Sequence, residues 1–234
     1  MKQLKDDTYL LESGKFVNIY AIVQGKNVLI IDTGTPGKAD NMLKELAGIG
    51  IKPSDVKAVI ITHAHPDHTG SCAALIDKTR AKLYVHKDDL DVLVGKSGPP
   101  RPRYLLEKLS AFMIKHVWKY KPPLDAIPVD EDSSISGFDG LKIIHTPGHT
   151  PGSISVLYER TGTLFCGDAI NKRSDKLTGP IKYFTVDADQ AWHSVGKIAA
   201  LNFNSLCPGH GNWLYQDAQQ KVHDLLTNNK PDQP

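Results

Sequence analysis

A chain of 234 residues, 40% apolar and 23% charged, has the material for one sizeable core and fits a single domain. Its formal net charge of +2 gives no bias toward nucleic acid, and no run reaches the about 18 apolar residues of a membrane span. Three widely spaced cysteines, Cys72, Cys166 and Cys207, argue against a disulfide framework and for a reducing cytoplasm.

The opening run MKQLKDDTYLLES lacks the apolar core of a signal peptide. TYLLES, FVNIYAIV and NVLIIDTG, separated by Gly and Asn, predict strands. KADNMLKELAGIG has helical spacing at Met42, Leu43, Leu46 and Ala47 and a glycine stop. KAVIITHAH predicts a buried strand, TGSCAALIDKT a helix with Thr69 or Ser71 near its cap, and AKLYVH another strand. The order is thus a β-meander followed by α/β alternation. From about 86 to 125 two helical segments are split by GKSGPPRP, and strands resume at LKIIHT, SISVLYE and TLFCGD. DADQAWHSVGKIAAL and YQDAQQKVHDLLTN predict two closing helices, separated by FNSLCPGHG.

Chemistry concentrates in ITHAHPDHTG, where His63, His65, Asp67 and His68 follow an apolar strand. Such a cluster is costly to desolvate unless a charge holds it together. His149 in TPGHTPGS, Asp168 in CGDAI and His210 in CPGHG each sit just past an apolar run and beside glycine, so strand-end turns can converge them on one sheet edge. His63 and His65, two apart, can point the same way from an extended segment, and Pro66 turns Asp67 and His68 elsewhere. Five imidazoles and two carboxylates exceed one four-coordinate ion and suit two ions sharing a carboxylate. Two close cations bring the pKa of a trapped water to about 7 and stabilise charge developing on a carbonyl or phosphoryl oxygen. Cys166 and Cys207 adjoin these residues but end apolar strands, and are expected as small core residues.

THAHPDHTG, with DTG upstream and PGHTPGS, GD and PGHG downstream, resembles the metallo-β-lactamase superfamily in motif and in order, over Asp32 to His210. The resemblance implies an α+β fold, a four-layer αββα sandwich, over residues 1–234, with a helical lid-like insert at about 86–125. It implies a first metal on His63, His65 and His149, a second on Asp67, His68 and His210, and Asp168 bridging. Asp32 would accept a hydrogen bond from or near a ligand histidine. Two Zn2+ per chain are the default for such ligands, and the family also accommodates iron and manganese. The implied function is metal-dependent hydrolysis of an ester, thioester, lactone, amide or phosphoester. Asp67 would orient the nucleophile and shuttle its proton.

Departures narrow the field. His65 stands where oxygen-reducing diiron members carry a carboxylate, and Asn171 stands where acyl-homoserine lactonases place a tyrosine, a role Tyr183 could take over. The alternatives are a lactonase or β-lactamase-like amidohydrolase, a mononuclear-iron persulfide dioxygenase, and a non-catalytic metal-binding module. From Lys96 to Lys121 the only acidic residue is Glu107, against Lys96, Arg101, Arg103, Lys108, Lys115, Lys119 and Lys121. A basic lid carrying Arg101 and Arg103 suits a small anionic or amphiphilic substrate, with no nucleic acid and no membrane span expected. Equally, the segment could only pack on the core. Oligomeric state is left open.

Overall fold

The computed structural model of the chain describes residues 1–98, 121–174 and 176–229. The amino-terminal half builds a seven-stranded sheet in sequence order: β1 (Lys2–Lys5), β2 (Thr8–Leu11), β3 (Ile19–Gln24), β4 (Asn27–Ile31), β5 (Val56–Ile60), β6 (Lys82–His86) and β7 (Ile127–Val129). The first four strands form an antiparallel meander, and β4 to β7 run parallel. Parallel pairing requires crossovers. Here they carry α1 (Ala39–Ala47) between β4 and β5, then the short α2 (Pro66–Thr69) and α3 (Cys72–Thr79) between β5 and β6. Helix α4 (Lys87–Leu93) follows β6 directly.

The second half supplies β8 (Leu141–His145), β9 (Ile154–Tyr158), β10 (Thr163–Gly167), β13 (Ser205–Pro208) and β14 (Leu214–Tyr215), in spatial order β14-β13-β10-β9-β8. A separate hairpin joins β11 (Asn171–Arg173) to β12 (Lys176–Thr178), and α5 (Ala188–Ala199) and α6 (Ala218–Asn228) complete the half.

Strand periodicity sorts side chains into layers. On β4, Val28 and Ile30 pack with Met42 and Leu46 of α1, Leu75 of α3 and Leu93 of α4. On the other face Leu29 and Ile31 join Ile143, Val156 and Phe165 of the second sheet. There Leu164, Cys166 and Leu206 turn outward to Val195 and Ile198 of α5 and Val222 of α6. The result is helices, sheet, sheet, helices. Across the seam the rings of Tyr20 and Phe165 meet edge to face, centroids 5.2 Å apart.

Each strand and helix expected from a strong apolar pattern is present where the residues are described. Strands β1, β7, β11 and β12 were not anticipated, because each is short and either polar or proline-containing, nor was the two-residue β14, which takes Tyr215 from the expected start of the last helix. Ser71 occupies the N-cap position of α3 without capping it; its hydroxyl instead donates to the Thr35 carbonyl and accepts from the Lys38 amide. Of the insert at 86–125, α4 is the described helix; the second helical segment, with Arg101 and Arg103, lies outside the described residues. All three cysteines are buried and unpaired. No helix of the described residues is long and apolar enough to cross a membrane.

Candidate metal centre

Strands β4, β5, β8, β10 and β13 all end on the same side of the sandwich, and their carboxyl-terminal turns carry the polar residues. Ligand sites of parallel sheets lie in this place because backbone and side chains splay outward there. Asp32 follows β4, His63 to His68 follow β5, His149 follows β8, Asp168 follows β10 and His210 follows β13. The two sheets are joined at the rim by the Ile154 amide donating to the Thr62 carbonyl at 2.9 Å.

Of the four donor groups among the described residues with potential ligand atoms within 4.8 Å of one another, three share this edge: His63, His65 and His149; His63, His68 and Asp168; and Asp67, His68 and His210. In the first, His65 Nδ1 lies 3.1 Å from His63 Nε2 and 3.0 Å from His149 Nε2. Asp168 lies between the groups, with Oδ2 at 3.5 Å from His149 Nε2 and 3.4 Å from His210 Nε2, and Oδ1 at 3.4 Å from His68 Nε2. Asp67 Oδ2 is 3.3 Å from His210 Nε2. All seven expected donors therefore come together.

The surroundings fix which ring nitrogen faces inward. The Thr62 hydroxyl donates to Asp32 Oδ2 at 2.8 Å, so its oxygen accepts from His63 Nδ1. The Thr185 hydroxyl donates to the Ile181 carbonyl, so its oxygen accepts from His149 Nδ1. His68 Nδ1 donates to Asp32, and His210 Nδ1 donates to the Phe16 carbonyl at 2.8 Å. Four imidazoles thus have Nδ1 tied back and Nε2 turned to the centre, while His65 presents Nδ1. Such outer contacts hold tautomer and ring orientation in metal sites. Asp32 takes the position expected of it. Thr62, Thr185 and the Phe16 carbonyl were not foreseen; Thr62 alone carried a signal, as the hydroxyl next to a histidine of the cluster.

Charge divides the cluster. Burial pushes the His63, His65 and His149 rings toward the neutral form, His149 down to about 3, and neighbouring histidines add to this for His63 and His149. Burial opposes charge on His68 and His210 as well, but the carboxylates overcome it: Asp32, Asp168 and Asp67 raise His68 well above its ordinary value, and Asp168 and Asp67 raise His210 to about 10. Against its own burial, Asp67 is brought down to about 2 by His68 and His210, and the same two histidines hold Asp168 well below its ordinary value.

Two atoms test whether the donors fit metal ions. His68 Nε2 and Asp168 Oδ1 are buried and have no hydrogen-bond partner among the described residues. Buried polar atoms are normally satisfied, and cations on these inward-facing donors would satisfy both. Close approach is built in: a Cβ on Gly209 would fall 2.3 Å from Asp168 Oδ1 and 2.8 Å from His68 Cε1. Asp67 and His210 are the open side, their side chains about 30% and 29% exposed.

Of the remaining expected residues, Tyr183 is half exposed on a short 3-10 helix, Lys182–Phe184, next to Thr185. Asn171 is buried and donates from Nδ2 to the Asp168 carbonyl at 3.3 Å. His86 and His145 stack on one another, centroids 3.9 Å apart, and His145 Nε2 donates to the Pro151 carbonyl; with Asp88 they form the fourth donor group, apart from the seven central residues. A cavity of about 160 Å³ opens beside His65, lined by Ala64, Val92, Thr150 and Pro151 among others.

Comparison with known proteins agrees with this centre. The chain is 32% identical over 219 residues to the probable metallo-hydrolase YflN of Bacillus subtilis, covering 84% of this chain and 81% of that protein. It is 32% identical over 213 residues to the probable metallo-hydrolase MJ0888 of Methanocaldococcus jannaschii, covering 83% and 87%. The fold matches the metallo-beta-lactamase family protein TTHA1429 of Thermus thermophilus with a TM-score of 0.70 at 23% identity, covering 97% of this chain and 80% of that one. It also matches TTHA1623, solved in a di-iron-bound form, with a TM-score of 0.69 at 24% identity, covering 92% and 94%. The family model for the metallo-beta-lactamase superfamily matches residues 13–210, the span from the meander to the last donor histidine, and the chain belongs to that superfamily.

Proposed function

We propose that the chain is a binuclear metal-dependent hydrolase acting on a small ester, thioester, lactone, amide or phosphoester. The observation that carries the reading is the seven-donor cluster with two buried inward atoms that make no hydrogen bond, His68 Nε2 and Asp168 Oδ1, facing one another at 3.4 Å. His63, His65 and His149 would hold one ion, Asp67, His68 and His210 a second, and Asp168 would touch both. Zinc is the default for imidazole and carboxylate donors, and the di-iron form of one fold neighbour makes iron the first competitor to test. When bound, such ions supply Lewis acidity and lower the pKa of water to about 7.

The chain's own residues supply the rest. Asp67 is ionised at neutral pH and stands at the open side, where its carboxylate can accept a hydrogen bond from an attacking water, orient it and pass its proton to the leaving group. Asp32, Thr62, Thr185 and the Phe16 carbonyl hold the imidazoles so that neither ring rotation nor tautomer exchange is needed during turnover. The cavity beside His65 would take the substrate body. Arg101 and Arg103 of the lid-like insert, outside the described residues, would draw an anionic group toward it, and Tyr183 would contact the substrate. The buried unpaired cysteines support a reducing, cytoplasmic setting.

Elemental analysis of protein purified without chelator, joined to a panel of chromogenic ester, thioester, lactone, cephalosporin and phosphodiester substrates, tests the reading. Two ions per chain and turnover that chelation abolishes are expected. A single tightly held ion, with Asp67 and His68 uncoordinated in a crystal, would overturn the binuclear assignment.

A further inference from the structure

The first three-imidazole group is held by something the metal motifs do not contain. Asp89 lies in the first turn of α4 and is 2% exposed. Its Oδ2 accepts from the Ala64 amide at 2.8 Å and from the Thr150 hydroxyl at 2.7 Å, and its Oδ1 accepts from the Gly152 amide at 2.8 Å. Ala64 is the residue between His63 and His65, and Thr150 follows His149. One carboxylate therefore grips both loops that carry this group, from a third element that carries none of it. The contact is closely fitted: a Cβ on Gly152 would fall 2.6 Å from Asp89 Cγ. Asp32 makes the matching arrangement on the other side, accepting from the Thr62 amide and hydroxyl and from His68.

We infer that Asp89 is the positioning residue of the first ion, holding His63, His65 and His149 in register across the two sheets, as Asp32 does for the His68 side. The inference rests on the metal assignment proposed above. A buried carboxylate accepting three donors is a stiff joint, because breaking any one bond leaves a buried N–H or O–H unpaired. Asp89→Asn keeps the size of the side chain but can offer only one acceptor oxygen. Its amide nitrogen must then face the Gly152 or the Ala64 N–H, so at least one of the three contacts is lost and the grip on the loops is loosened. Outer contacts of this kind change metal affinity by about 10- to 100-fold when removed.

The experiment titrates zinc into chelator-stripped wild type, Asp89→Asn and Asp32→Asn, and reads which imidazoles coordinate from their ring 15N shifts, with far-UV circular dichroism as the check on folding. The expected result is a site-selective split: Asp89→Asn weakens zinc at His63, His65 and His149 by at least about 10-fold and leaves His68 and His210 coordinating, while Asp32→Asn weakens His68, and His63 through Thr62, and leaves His65 and His149 held by Asp89. Thr150→Val, which deletes one donor and keeps the side-chain shape, shifts the same three histidines by a smaller factor, and it decides the question if Asp89→Asn does not fold. Equal weakening of both groups, or none, in a folded variant would overturn the positioning role. Wild type that never coordinates zinc through His63, His65 and His149 would remove the metal assignment underneath, and this inference with it.

Discussion

His68 donates from Nδ1 to Oδ2 of Asp32 at 2.8 Å, and that contact joins the turn after β4 to the loop after β5. Asp32 makes it from a left-handed backbone conformation, φ +61°, with its side chain buried. Asparagine tolerates that conformation as well as aspartate does, so Asp32→Asn separates charge from backbone. The Thr62 amide can still be accepted. The ring of His68 loses its largest source of positive-charge stabilisation, and zinc on the Asp67, His68 and His210 side should bind about 10- to 100-fold more weakly. Competition against a chelator of known affinity checks this; an unchanged second binding constant would contradict it.

Asp67→Asn should separate binding from chemistry. The amide keeps the shape and one oxygen but cannot take a proton. Turnover at saturating metal should fall by about 100-fold or more, the range usual for loss of a general base. Normal turnover in the fully loaded variant would leave Asp67 a ligand and nothing else.

Metal loading should release protons unevenly. At pH 7 the metal-free protein carries His68 and His210 charged, since both sit above their ordinary value, and His63, His65 and His149 neutral, since all three sit below it. Binding requires neutral imidazole. An ion on the His63 group should therefore release essentially no protons, and an ion on the His210 side about two. Affinity on that side should rise with pH through about 10, where His210 loses its proton unaided. Calorimetry in buffers of differing ionisation enthalpy reads the count directly, and equal release in both steps would refute this charge pattern.

Gly209→Ala should damage the centre without touching a donor. The added methyl would press on Asp168 Oδ1 and His68 Cε1, and Asp168 is buried with nowhere to swing. The expected outcome is loss of at least one ion per chain with the far-UV spectrum retained. Full metal content would mean the loop relaxes outward at little cost.

Neutralising Arg101 and Arg103 together should raise KM for an anionic substrate and leave metal content unchanged. The effect should shrink with salt, since exposed charges are screened over about 8 Å at physiological ionic strength. Equal shifts for charged and neutral substrates of similar size would show that these arginines do not steer substrate.

The seven donors were readable from the chain because four crowd into His63 to His68 just past an apolar strand and the other three each sit beside glycine at a strand end, where side-chain type and local shape coincide. The strands of the two cores were readable for a related reason: NVLII and TLFCG bury both faces and leave continuous apolar runs. Asp89 was not, because KDDLDVL reads as an acidic, solvated helix start, and only the meeting of α4 with loops 64 and 150–152 turns one of its three aspartates inward. Thr185 was hidden in the same way, reaching His149 over 36 residues of sequence. Edge strands β1 and β7 escaped because their pairing is decided by a neighbour's unpaired edge more than by their own short polar or proline-containing sequences.

The seam between the sheets has a mechanical consequence. His63, His65, Asp67 and His68 ride on the first sheet, and His149, Asp168 and His210 on the second. A small slide of one sheet over the other would change every cross-sheet donor distance at once and leave the distances within each sheet alone. The interlocked rings of Tyr20 and Phe165 resist that slide from inside the sandwich. Metal affinity is then a gauge of shear in the whole fold, and trimming Phe165 to leucine should loosen the ions without altering a single atom that binds them.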